Sequence, residues 1–125
     1  MTKAQRKAED LLPLTPAVFH ILLALADGER HGYGIMQEVV QRTDGAMRMG
    51  PGTLYGSIKR MQADGLIEAS DERPDPSMDD ERRRYYRLTD FGRRVLQAEA
   101  RRFEQVVRIA YMKRVLANPE KIGGA

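Results

Sequence analysis

Residues 50–61 read Gly50-Pro51-Gly52-Thr53-Leu54-Tyr55-Gly56-Ser57-Ile58-Lys59-Arg60-Met61. Proline at the first helical position loses no backbone bond it could have made, so Pro51 opens a helix. Leu54, Ile58 and Met61 recur at i, i+4 and i+7 and form one apolar side. The opposite side carries Gly52, Gly56, Lys59, Arg60 and Ala63, with Thr53 and Tyr55 on its flanks. Two glycines on an outer helical face cost about 1 kcal/mol each relative to alanine. A purely structural helix gains nothing from them, whereas a helix whose backbone must approach another surface closely does. Asp64-Gly65 ends the segment.

Two further helices precede it. Thr15-Pro16 supplies a capping hydroxyl and a first-turn proline. The run that follows, Val18 to Ala26, is apolar nearly all round and is expected at the centre of the fold, up to the stop at Asp27-Gly28. From about Gly32 to Thr43, Ile35, Met36, Val39 and Val40 form an apolar face opposite Gln37, Glu38, Gln41 and Arg42. After the quoted helix, 66–70 reads as a short strand and 83–88 as an aromatic, nearly alternating one. The polar stretch 71–81 between them is the tip of a hairpin. Thr89 caps a last helix expected to reach Leu116, ahead of Asn118-Pro119. That helix is too long to pack only on a domain of this size.

Three short helices, a hairpin and a long helix define a mainly α fold with a small β-hairpin wing. The reading is a winged helix-turn-helix plus a long C-terminal dimerisation helix. Its parts are an N-terminal arm or short helix (1–13), the winged domain (14–88), the dimerisation helix (89–118) and a tail (119–125). The groove-insertion logic of such folds assigns DNA contact to the quoted helix. Gly52, Thr53, Tyr55, Lys59 and Arg60 are the candidates there, and Ser57 is counted with them.

Composition excludes several other chemistries. The chain has 125 residues and no cysteine, which removes disulfides, thiolate catalysis and cysteine-ligated metals. Two histidines, His20 and His31, are too few for a multi-histidine site, so no metal ligands and no cofactor are expected. His20 reads as a core or interface residue and His31 as a turn residue. The carboxylates Asp79, Asp80 and Glu81 lack a fixed geometry for a cation. No nucleophile–base pair is evident, and Gly50-Pro51-Gly52 lacks the lysine and spacing of a phosphate loop, so no catalytic residue is assigned. The net charge of +3 is compatible with nucleic acid without requiring it. No apolar run approaches the ~20 residues of a membrane helix, and the basic start has no apolar stretch behind it. A cytoplasmic location, away from membranes, is the expectation.

Three segments resemble the PadR family of transcriptional regulators in order and spacing. They are the quoted residues 50–61, His31-Gly32-Tyr33-Gly34-Ile35, and Arg84-Tyr85-Tyr86-Arg87-Leu88-Thr89-Asp90-Phe91-Gly92. The resemblance runs from about Leu14 to Val95. It implies a homodimeric bacterial repressor that binds double-stranded DNA at an inverted repeat, with release in some members by a small aromatic or drug-like effector. By the same resemblance Thr53, Tyr55 and Lys59 contact DNA, and Gly32 and Tyr33 lie near its backbone. An effector would sit by Phe19, Phe103, Tyr111 and Met112. The chain has no tryptophan, so it lacks the flat indole clamp of some drug-binding relatives.

The wing departs from the family pattern, because Asp71 to Glu81 is strongly acidic where a basic tip is usual. Either the tip folds back onto Arg82, Arg83 and Arg84, or only the wing base meets DNA and those arginines contact phosphate. Neutralisation of the neighbouring acids is the plainer role for the same arginines. In the last helix, Leu96, Phe103, Val106, Val107, Ala110 and Tyr111 belong to a stripe whose second half outruns the winged body, and dimerisation is its simplest use. The arginines 93, 94, 101, 102 and 108 read as its solvated face, with salt bridges to Glu99 and Glu104 as a minor addition. A winged helix that dimerises and binds a partner protein instead of DNA is the alternative from another class. A MarR-type regulator is the near alternative within DNA binding, with little room here for its extra helices.

Overall fold

The computed structural model describes residues 7–74 and 82–117, with side chains at all of these except 71–74, 82 and 83. The tail 119–125, the first six residues of the arm and the acidic tip 75–81 therefore lie outside the described residues, as do the side chains of Arg82 and Arg83.

Helix α1, Pro16–Ala24, begins where the Thr15 hydroxyl accepts the Val18 N–H at 3.2 Å. A two-residue strand β1, Arg30–His31, leads directly into helix α2, Gly32–Arg42. Helix α3, Pro51–Ala63, follows, and then strands β2, Ile67–Pro74, and β3, Arg82–Leu88. The last helix, α4, is Asp90–Met112, roughly 34 Å long at 1.5 Å per residue. It stops short of the expected Leu116. Arg114 takes a left-handed φ of 62°, and the Val115 N–H turns back to the Ala110 carbonyl at 2.8 Å.

The sheet has the order β1-β3-β2, all antiparallel. Strand β1 adds a third member to the expected hairpin, with Arg30 opposite Tyr86 and His31 opposite Tyr85. Along the wing, Ile67 faces Leu88 and Ala69 faces Tyr86, but Glu72 faces Arg84. Strand β2 thus carries one extra residue there, a bulge that bends and twists the hairpin.

The core gathers Ile21, Leu22 and Leu25 of α1, Ile35 and Val39 of α2, and Leu54, Ile58 and Met61 of α3. Leu66, Ile67, Tyr86, Val95 and Leu96 close it from the sheet side and from α4. Helix α1 is less enclosed than its composition suggests. Leu23 is exposed, and Phe19 is half-buried, stacked on Phe103 of α4 with centroids 5.0 Å apart.

Two backbone contacts fix α4. The Thr89 hydroxyl donates to the Gly65 carbonyl at 2.5 Å and accepts the Gly92 N–H at 2.9 Å. A Cβ placed on Gly92 would collide with the Leu66 carbonyl, whose carbon would be 2.8 Å away. Only glycine lets the helix sit this close to the end of α3.

Candidate nucleic-acid interface

Helix α3 is anchored on one side only. Leu54, Ile58 and Met61 are at most 2% exposed, and at 100° per residue they fix which face looks outward. Gly52, Gly56, Lys59 and Ala63 fall opposite that anchor, all exposed. Thr53 and Arg60 lie on one flank, Tyr55 and Gln62 on the other, and all four are exposed. A side chain added at Gly52 or Gly56 would meet nothing within 4 Å, so the ridge between the flanks is bare backbone beside one ammonium.

Ser57 does not belong to that face. It is 1% exposed and sits on the core side of the helix, which removes it from direct contact with any docked molecule. Leu96 likewise leaves the dimerisation stripe, since it is part of the core. Ser57 falls at the margin of the apolar side of α3, whereas Leu96 lies on the stripe itself but in the first half of α4, where the helix packs on the winged body. Arg60 lines a groove with Leu14, Thr15, Val18 and Asp64, at the side of α3 toward α1.

The start of α2 joins this surface through Tyr55. Its phenol rests over Gly32, where a Cβ would stand 2.7 Å from the ring Cζ. The neighbouring Tyr33 is exposed. His31 caps α2, its Nδ1 accepting the Gly34 N–H at 3.0 Å, and its ring meets Tyr85 of β3 edge-on at 5.3 Å. Burial pushes the Tyr86 phenol above its ordinary value, the nearby Tyr55 adds to this, and Arg84 works against it. Tyr55, Tyr86 and exposed Arg84 thus share one electrostatic neighbourhood at the foot of the wing.

The wing base is internally paired. Arg87 reaches Glu68 of β2 at 2.9 Å and Glu29, just before β1, at 3.5 Å. Those contacts, the Glu68 hydrogen bond foremost, hold its guanidinium above the ordinary arginine value.

Phe103, Val106, Val107, Ile109 and Met112 of α4, and Val115 and Leu116 in the turn after it, are exposed, a length of apolar surface beyond the winged body. Ala110 and Tyr111 are half-buried. Of the four expected effector residues, Phe19 and Phe103 touch. Tyr111 and Met112 lie more than two turns farther along the helix, about 12–14 Å away.

The arginines 93, 94, 101, 102 and 108 of α4 are all exposed. Arg102 bonds Glu99 at 2.6 Å, and Glu99 is 1% exposed and also accepts the Leu14 N–H at 2.8 Å. Nothing in the helical pattern singles out this buried carboxylate, because its partner lies 85 residues away. Among the described residues, no group of three or more His, Asp or Glu side chains could hold a metal ion. No helix there is long and apolar enough to cross a membrane.

A core of three helices, a β-hairpin and an anchored helix with a bare outward ridge define a winged helix-turn-helix. Family comparison narrows this further. The chain belongs to the PadR-like family of transcriptional regulators, whose model matches residues 21–98. Transcriptional regulator Rv3488 of Mycobacterium tuberculosis is 39% identical over 89 residues, covering 71% of this chain and 77% of that protein. Among solved structures, a PadR family transcription regulator from Clostridium difficile superposes with a TM-score of 0.65 at 24% identity, covering 78% of this chain and 97% of that one. Bacillus subtilis PadR in complex with operator DNA superposes at 0.58 with 22% identity, covering 69% of this chain and 47% of that one. At such identities the structural likeness speaks to the fold.

Proposed function

We propose that the chain is a cytoplasmic homodimeric repressor that binds an inverted-repeat operator, each copy laying α3 in a major groove. The observation that carries this reading is the outer ridge of α3. Gly52 and Gly56 leave the backbone bare, Lys59 adds a cation among them, and Thr53 and Tyr55 offer hydroxyls on the flanks. A groove about 12 Å wide admits such a helix. Tyr33, Arg60 and Arg84, with Arg82 and Arg83, serve as backbone contacts around it. The structure of Bacillus subtilis PadR with operator DNA supports the role by fold analogy.

Dimerisation runs through the exposed second half of α4, with Phe103, Val106, Val107, Ala110 and Tyr111 at its centre. A two-fold axis there sets two α3 helices about 34 Å apart, one turn of duplex. An aromatic effector that lodges at the Phe19–Phe103 pair, the two of the four expected residues that touch, would alter that spacing and release the operator. The reading asks for no cofactor and no catalysis.

Selection from random duplex DNA at moderate salt is the test. Enrichment of an inverted repeat with half-sites about one turn apart is the expected result. No enrichment, together with no binding at low salt, would overturn the reading and leave a winged helix that serves a protein partner.

A further inference from the structure

Glu38 and Arg42 mark the flank of α2 that looks toward α1. On the other flank, a trough of about 340 Å³ separates α2 from the segment leading into α3. Its floor is Met36, Val40 and Met49, and its rim is Tyr33, Gln37, Gln41 and Arg48. Every polar side chain on that rim can donate a hydrogen bond, and none is a carboxylate. Other hollows differ. Arg60 shares its groove with Asp64, the α1–α2 cavity holds Asp27 and Glu38, and two hollows beside α4 hold Glu9.

Arg48 carries the charge of the trough. It is exposed, and among the described residues no carboxylate pairs with it, Asp44 included. Its guanidinium lies over Gly45, one nitrogen 3.3 Å from where a Cβ would stand there. Gly45 takes a left-handed φ of 79° and closes the end of α2, its N–H on the Val40 carbonyl at 2.8 Å. The Thr43 hydroxyl accepts the Met47 N–H at 3.1 Å and donates to the Val39 carbonyl at 2.8 Å, which pins the turn next to Arg48. The cation thus stands on a fixed turn.

Position gives the trough its partner. At one end Tyr33 adjoins Gly32, the residue that the Tyr55 phenol covers. At the other, Arg48 stands two places before Gly50 and the start of the α3 ridge. A recognition helix enters the major groove with its first residues at the base edges, while the helix before it crosses the sugar-phosphate backbone. The segment that delivers such a helix therefore passes a phosphate strand at the edge of the duplex groove. We infer that one strand of the DNA backbone lies along this trough, Arg48 donating to a phosphate oxygen with Gln37 and Gln41 beside it. The inference rests on the reading of α3 as the DNA-binding helix and adds to it a strand contact on the α2 side.

The test is binding of the full chain to a random-sequence duplex of about 30 base pairs, which reports phosphate contacts without any operator. Arg48→Ala should weaken binding about 5-fold or more and lower the slope of log affinity against log salt by about one ion. Arg48→Lys should restore the slope but only part of the affinity, because an ammonium keeps the charge and loses the planar fork. Gln37→Ala should weaken binding about 2-fold with the slope unchanged. Arg101→Ala, an equal loss of charge on exposed α4, sets the scale for net charge alone and should cost less than about 2-fold. All three positions are exposed, so the melting temperature should hold in every variant. A loss in Arg48→Ala no larger than in Arg101→Ala would overturn the inference, and so would a slope that stays at the wild-type value. Lys59→Ala separates this from the broader reading. If it weakens binding and Arg48→Ala does not, the role of α3 stands and the trough is left to a partner protein. Absence of wild-type binding at low salt would overturn both.

Discussion

The carboxylate of Glu99 accepts the backbone N–H of Leu14 at 2.8 Å, closing a link across 85 residues. Burial pushes this carboxyl up, but the hydrogen bonds from Arg102 and Leu14, with the Arg102 charge, outweigh it and leave the group below its ordinary value. A carboxylate depressed on folding stabilises the native state above its unfolded pKa, about 4.3. That contribution is lost as pH falls below this value toward the folded one. Glu99→Gln should therefore cost about 1–3 kcal/mol at pH 6, the scale of a charged hydrogen bond. Urea unfolding of both proteins should show the gap closing as pH falls below the unfolded value of about 4.3. A gap of constant size would mean that the charge is not what counts.

Gly92→Ala should be among the most damaging single-methyl changes in the chain. The added carbon meets the Leu66 carbonyl, which belongs to backbone and cannot swing aside. Overpacking of this kind costs about 3 kcal/mol, to be read as a fall in melting temperature. Gly56→Ala, in open space, should leave the melting temperature unchanged or raise it, while reducing operator affinity.

Lys59→Ala tests the α3 ridge directly. It should lower operator affinity about 10-fold and reduce the slope of log affinity against log salt by about one ion. The melting temperature should stay put, since Lys59 is exposed. Tyr55→Ala should also weaken binding, and its effect should include a looser α2 start, visible as faster amide exchange at Gly34. Unchanged affinity in both variants would move the DNA contact off α3.

Val106→Asp probes the dimer more cleanly than Phe103→Asp. Phe103 stacks on Phe19 within the chain, whereas Val106 is 60% exposed. Both substitutions should shift sedimentation toward monomer, but only Phe103→Asp should also destabilise the monomer. A dimer that persists in both variants would place the interface elsewhere.

Much of the fold was legible because its boundaries are chemical. Thr15-Pro16, Pro51 and Thr89 start helices by capping or by fixing φ, and the structure starts helices at those points. Local chemistry ran out where partners are distant. Strand β1 is two residues long, too short for any alternation, and exists because Tyr85 and Tyr86 arrive beside it. Glu99 looks like any charged residue on an amphipathic helix until Leu14 reaches it. Leu23, in a run of apolar neighbours, gave no sign that it would face solvent. Within the candidate site, the exposure of Tyr33, Thr53, Tyr55, Lys59 and Arg60 follows from the period of α2 and α3, while Ser57 turned inward at the margin of that same period.

The sheet order β1-β3-β2 carries a consequence for the nascent chain on the ribosome. Its central strand is the last of the three to be synthesised. Until residues 82–88 emerge, neither Arg30–His31 nor Ile67–Pro74 has an edge to pair with, and His31 caps α2 without the ring of Tyr85 beside it. Helices α1 to α3 are thus made early but locked late, so a message truncated before β3 yields α3 without the frame that holds it.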